Sequence, residues 1–200
     1  MTSALYLHEE DIVSQLHPIN TFIIFTDAAT SSKTMISVGA FLCLTQQQMD
    51  LYAKNVVDIL SAELADRVVY KAYKSKKSTW SEIKTVIDAL YALLNQSGPG
   101  LKVEIYTDCK SLCDLMGARK EKLKINNFMT KSGKMLPNAV LYKELFAIAD
   151  KFQIKIFKIK GHDLAAQRLT LHEKIFALLD KWSRKKLRSI LNNFVAQNRS

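Results

Sequence analysis

Two hundred residues, 48% hydrophobic and 24% charged, suit one globular domain that buries its own core and leave little room for two. Lys and Arg number 29 against 19 Asp and Glu, a net charge of +10 that favours a polyanionic partner, nucleic acid before acidic membrane. The longest uncharged run, Thr34 to Met49, is too short and too polar for a transmembrane helix, which is excluded.

The amino terminus, MTSALYLHEED, lacks a basic segment followed by an apolar one, so export is not expected and the chain is read as cytoplasmic. Residues 1–19 end near Pro18 and read as an arm or short helix ahead of the domain. From Asn20 the run TFIIF is β-branched and aromatic and stops at Thr26-Asp27; MISVGAFLCL at 35–44 answers it as a neighbouring strand. Met49, Ala53, Val56, Val57, Leu60 and Leu64 recur at helical spacing over 46–65, and Val68 to Tyr73 suits a third strand.

The apolar stripe Ile83, Ile87, Leu90 and Leu94 marks a helix over 78–95, stopped by SGPG at 97–100. Lys102 to Thr107 alternates as a strand, and Asp108 stands where it hands over to a helix from Lys110 to Met116. Residues 119–135 are a basic loop or short helix holding Arg119, Lys120, Lys122, Lys124, Lys131 and Lys134 against Glu121 alone. A helix over 138–151, a strand over 154–159, a loop opened by Gly161-His162 and a long amphipathic helix from Leu171 to about Phe194 complete the pattern. This order predicts an α/β fold whose mixed sheet is antiparallel first and parallel later, flanked by helices. The domain is placed at 20–188, with 189–200 as helix end and tail. Cys43, Cys109 and Cys113 form no CxxC pair and read as packing residues.

Asp27 and Asp108 each close a strand of similar sequence, IIFTD and EIYTD, so neighbouring strand ends would bring them together. Glu82 lies in the first turn of the helix before the second of these strands, and Asp180 in the last helix. Carboxylates converging from separate elements suit Mg²⁺, a hard ion bound through a few carboxylates and substrate phosphate. Two such ions serve phosphoryl displacement. Each acid also has a plainer reading. Asp27 suits a turn, Asp108 an N-cap, Glu82 a capping box with Thr79, and Asp180 a solvated pair with Arg184. Asp163 and Glu173 are alternatives to Asp180, and His162 could be an ordinary loop histidine.

The ordered series FTDA at 25, STWSEIKTVIDAL at 78, IYTDCKSL at 105, PNAVLY at 137, KIKGH at 158 and LLDKWSR at 178 resembles type 1 ribonuclease H from Phe22 to about Arg188. The resemblance implies an endonuclease that cuts the RNA strand of RNA/DNA hybrids with two ions of Mg²⁺, or Mn²⁺, leaving 5′-phosphate ends. It places Asp27, Glu82, Asp108 and Asp180 in the metal-binding set, with Asp27 bridging both ions, and gives His162 a part in water positioning or product departure. It assigns nucleic-acid contacts to Ser78, Thr79, Lys110, Lys122, Lys124 and Asn138. The implied partner is the hybrid, without membrane, and a monomer is expected. The chain departs from the family pattern in Ala28, Ala29 and Thr30 after the first Asp, in a hairpin with Gly39 alone, in Ser78-Thr79 where Asn is common, and in Cys109-Lys110 where Ser-Gln is common. The same fold acting on DNA, as in resolvases and transposases, and a nonhydrolytic nucleic-acid-binding module are the other readings.

Overall fold

The computed structural model describes residues 21–54, 57–75, 77–160 and 170–197. The expected N-terminal arm and the Gly161-His162 loop lie outside the described residues. The first apolar run forms β1 (Phe22–Ser31), and the second returns beside it as β2 (Ile36–Thr45). Two helices follow, α1 (Gln46–Lys54) and α2 (Val57–Arg67), where one was read over 46–65. Tyr52 of α1 donates to Glu63 of α2 at 2.9 Å and accepts from Arg67 at 3.2 Å, which ties the two together. Next come β3 (Val69–Lys74), α3 (Ser78–Ser97), β4 (Lys102–Thr107), α4 (Lys110–Met116), α5 (Arg119–Ile125), α6 (Ala139–Ala149), β5 (Gln153–Lys158) and α7 (Leu171–Gln197).

The five strands lie in the order β3-β2-β1-β4-β5. β1 pairs antiparallel with β2, and β2 with β3, while β1 runs parallel to β4 and β4 to β5, as the element order predicts. Side chains alternate across a strand, so both faces of the central β1 must be covered. Ile23 and Phe25 pack on one face with Leu42, Leu44, Leu64, Ile175 and Leu179, under α2 and α7. Ile24 packs on the other with Phe41, Ile83, Ile87, Leu90 and Leu145, under α3 and α6.

Two backbone details position the site. In β2, Gly39 lies opposite Ala28 of β1. A Cβ there would stand 2.0 Å from Thr85 Oγ1 and 2.8 Å from the Tyr73 ring, so the missing side chain lets α3 press onto the sheet. At the far end, Gly98 adopts φ 79°, and its N–H bonds the Leu94 carbonyl at 2.9 Å, stopping α3 where the glycines predicted. In the basic stretch, Asn127 and Phe128 have φ of 48° and 60°, and this turn drives Phe128 inward. Its ring lies 6.0 Å from that of Phe146 and is covered by the Lys143 ammonium at 5.3 Å. The aromatic of that stretch is core, not a stacking platform for bases.

Candidate active site

Phe25 of β1 pairs in register with Tyr106 of the parallel β4, the last pair between them, so Asp27 and Asp108, each two residues on, lie side by side just past it. β4 ends there at Thr107, but β1 does not stop at Thr26-Asp27 as the sequence pattern predicts: it runs on to Ser31, because its pairing with β2 continues beyond β4, and Asp27 lies within the strand opposite Ala40. Glu82 arrives from above the sheet on α3. The three carboxylates each offer one oxygen, and these oxygens lie within 4.8 Å of one another. Asp27 and Glu82 are buried and Asp108 is half-buried. Together with Asp180, Ser78, Thr79 and Lys110 they line a cleft of about 390 Å³.

The plainer readings of Glu82 and Asp108 fail on geometry. α3 starts at Ser78 after Lys77, which makes no side-chain cap. Glu82 instead accepts a hydrogen bond from the backbone N–H of Ala28 at 3.2 Å, across 54 residues of sequence. The cap position of α4 is Cys109, again without a side-chain cap, and its N–H is taken by Thr107 Oγ1 at 3.2 Å. Asp108 is thus not the cap of α4, and it lines the cleft. Asp180 does form the expected pair with Arg184, Nε to Oδ1 at 2.7 Å, and it does so at the cleft wall.

Ser183 was not anticipated. The α7 positions Ile175, Leu179, Ser183 and Leu187 recur every four residues and are all buried, so the serine hydroxyl stands in the core-facing row. It donates to Asp27 Oδ2 and lies 2.9 Å from the Asp180 carbonyl oxygen. A small polar residue within an apolar i, i+4 row is the signal that could have found it.

Burial pushes the Asp27 carboxyl up to about 6, against the Ser183 hydrogen bond, and repulsion from Asp180 and Asp108 adds to the rise. Burial likewise holds Glu82 well above the ordinary range, reinforced by Asp27 and Asp108 and opposed by the Ala28 N–H. Burial also raises the Cys109 thiol beside them to about 11, which leaves it a neutral packing group. Glu82 Oε2 is one of two buried side-chain oxygens without a hydrogen-bond partner among the described residues, the other being Thr26 Oγ1. An acceptor that is buried, unpartnered and crowded by two more carboxylates fits a hard divalent cation, which would supply the missing charge and bond together. Asp27, Glu82 and Asp108 could hold that ion.

The family model for RNase H matches residues 20–168. The chain belongs to the ribonuclease H family. Ribonuclease H is a nuclease family, so the carboxylate cleft lies in a phosphodiester hydrolase fold. No curated relative matches the sequence. Among solved structures, the RNase H domain of prototype foamy virus superposes with a TM-score of 0.58 at 19% identity, over 84% of this chain and 93% of that one. LC9-RNase H1, a type 1 RNase H with the type 2 active-site motif, gives 0.58 at 15% identity, over 84% and 71%. The foamy viral protease-reverse transcriptase solved with an RNA/DNA hybrid gives 0.53 at 14%, over 84% of this chain and 20% of that larger one. These likenesses establish the ribonuclease H fold.

The remaining sequence candidates of this ribonuclease H fall into separate places. Ser78, Thr79 and Lys110 are at the cleft. Lys122 and Lys124 are exposed on α5, where Lys124 lies 3.6 Å from Asp150. Asn138 precedes α6 without capping it through its side chain. His162 and Asp163 lie outside the described residues. Glu173 accepts from Thr170 at 2.9 Å at the start of α7 and does not line the cleft.

Proposed function

We propose that this ribonuclease H hydrolyses the RNA strand of RNA/DNA hybrids with two ions of Mg²⁺ or Mn²⁺, leaving 5′-phosphate ends. The observation that carries the reading is the convergence of Asp27, Glu82 and Asp108 from three elements to within 4.8 Å, two of them buried. When bound, the ions supply an activated water and charge stabilisation at the scissile phosphate.

The chain's own residues prepare the rest. Ser183 and the Ala28 N–H each take one carboxylate oxygen, of Asp27 and Glu82, and so fix how the other oxygens face the cleft. Asp180 would help to hold the second ion, and Arg184 limits its repulsion from Asp27. The Ser78 and Thr79 hydroxyls at the cleft are suited to the ribose 2′-hydroxyls that distinguish the RNA strand, and Lys110 to a phosphate. Lys122, Lys124 and Asn138 would contact the strand farther out, and His162 would assist water positioning or product departure. A foamy viral relative in fold has been solved with such a hybrid, which supports the substrate class.

The test presents one end-labelled sequence as RNA/DNA hybrid, duplex RNA, duplex DNA and single strands, with Mg²⁺, Mn²⁺ or EDTA. Cutting of the hybrid alone, dependent on metal and abolished by Asp27→Asn and by Asp108→Asn, is expected. Cutting of DNA alone would move the protein to a resolvase-like activity. Binding without cutting under every condition would leave a nonhydrolytic module.

A further inference from the structure

Beyond Ser183 and Arg184, the C-terminal half of α7 has no role in the site as described. From Lys181 to Gln197 it contains Lys181, Arg184, Lys185, Lys186 and Arg188 and no acidic residue. Its rows have distinct surroundings. Ile175, Leu179, Ser183 and Leu187 face the sheet. One position on, Asp180 and Arg184 line the cleft, and Arg188 continues that row by one turn, about 6 Å farther along the axis. Next to it, exposed Lys181 and Lys185 form a parallel row. On the other flank the Lys186 ammonium lies 5.6 Å from the centre of the Tyr70 ring, so this half of the helix passes over the edge strand β3. Among the described residues neither Lys185 nor Arg188 is ion-paired, in contrast to Lys120 of α5, which lies 2.5 Å from Asp150 at the end of α6.

Exposed cations one turn beyond the cleft-lining Arg184, and in the row beside it, complement one kind of partner. We propose that Lys181, Lys185 and Arg188 form a phosphate-binding ridge that extends the nucleic-acid track from the cleft past the β3 side of the sheet. The inference rests on the hybrid-cleaving reading above. The occupant is the sugar-phosphate backbone of the same hybrid whose scissile bond lies in the cleft. Its recognition is electrostatic and carries no sequence preference. The ridge therefore lengthens the footprint without narrowing the choice of site.

The test uses the full chain and measures hybrid affinity in EDTA across a salt titration, for the unmodified protein, Lys185→Gln/Arg188→Gln, and a control, Lys102→Gln/Lys155→Gln. The control removes equal charge from exposed lysines at the starts of β4 and β5, around a separate cavity. The ridge variant is expected to lose about 1 to 2 from the slope of log affinity against log salt, roughly one for each phosphate contact, while the control keeps the unmodified slope. Equal slopes in all three proteins, or an equal loss in the control, would overturn the ridge. Vesicles rich in phosphatidylserine form a further arm. Vesicle binding lost in the ridge variant with an unchanged hybrid slope would overturn it in favour of a lipid surface. Cleavage by the unmodified chain in Mn²⁺ separates the two levels of the inference: cleavage with an unaffected slope removes the ridge alone, whereas neither binding nor cleavage removes the function and the ridge together.

Discussion

Glu82 and Asp180 reach one cleft from helices on opposite faces of the sheet, and their surroundings differ. Glu82 is 8% exposed, takes one backbone N–H and leaves its second oxygen unpartnered. Asp180 is half-buried and has Arg184 at 2.7 Å. One side of the cleft thus holds a buried acceptor with no hydrogen-bond partner among the described residues, and on the other the acid is neutralised within its own helix. A buried carboxylate cluster without a cation is costly for the fold and useful for a metal. The difference teaches that a cation would relieve more strain on the α3 side, whereas the acid on the α7 side already has a counter-charge.

The comparison breaks most sharply at Asp27, which touches both sides. Asp27→Asn is expected to lower metal-dependent hybrid cleavage by about 10³-fold, the equivalent of several kcal/mol of metal-assisted stabilisation. Thermal unfolding in EDTA near neutral pH is expected to show no loss of stability, because the variant also removes repulsion. A variant that kept full activity would end the assignment.

The metal-free protein should register the same buried carboxylates in its pH dependence. The folded state keeps the Asp27 proton up to about 6, while the unfolded chain loses it near the ordinary 3.8. Proton-linked stability is therefore complete below about pH 4 and falls as pH rises through about 6, by about 3 kcal/mol, with Glu82 acting in the same direction. Denaturant titrations in EDTA across that window measure the fall, and Mg²⁺ or Mn²⁺ is expected to reverse it. A flat profile would show that the cluster is not strained.

Gly39 tests how the α3 side is held. Gly39→Ala places a methyl group against Thr85 and Tyr73 and is expected to cost about 1 to 3 kcal/mol of stability, with weaker Mn²⁺ binding as α3 and Glu82 are pushed outward. Unchanged metal affinity, measured by calorimetry, would show that Glu82 does not depend on that contact. The smallest effect belongs to the neutralised side. Asp180→Asn breaks a partly exposed ion pair within one helix and is expected to cost less than about 1 kcal/mol, with a smaller loss of cleavage than Asp27→Asn. Equal losses in the two variants would erase the distinction between the sides.

Much of the framework was legible in the chain because it follows local rules. The end of β4 before Asp108 and the stop of α3 at its glycines were marked locally, whereas β1 runs past the expected stop at Asp27 to Ser31, because pairing with β2 and not local composition sets its length. Helix periodicity located α7 but not the meaning of Ser183, whose partner is 156 residues away. The single helix read over 46–65 became two, since spacing reports a helical face but not where neighbouring turns are clamped by side chains such as Tyr52 and Glu63.

By itself the sequence determined the kind of fold, the four acids and the basic character of the chain, because periodicity, residue type and charge are properties of short segments. Tertiary structure alone decided which oxygens meet. Glu82 could have closed a capping box, and it bonds Ala28 instead because Gly39 lets α3 press onto β2. Asp180 could have been a solvated helix residue, and it lines the cleft because the apolar row around Ser183 seats α7 against β1. Contacts of that kind depend on packing between segments far apart in the chain, which no local pattern encodes.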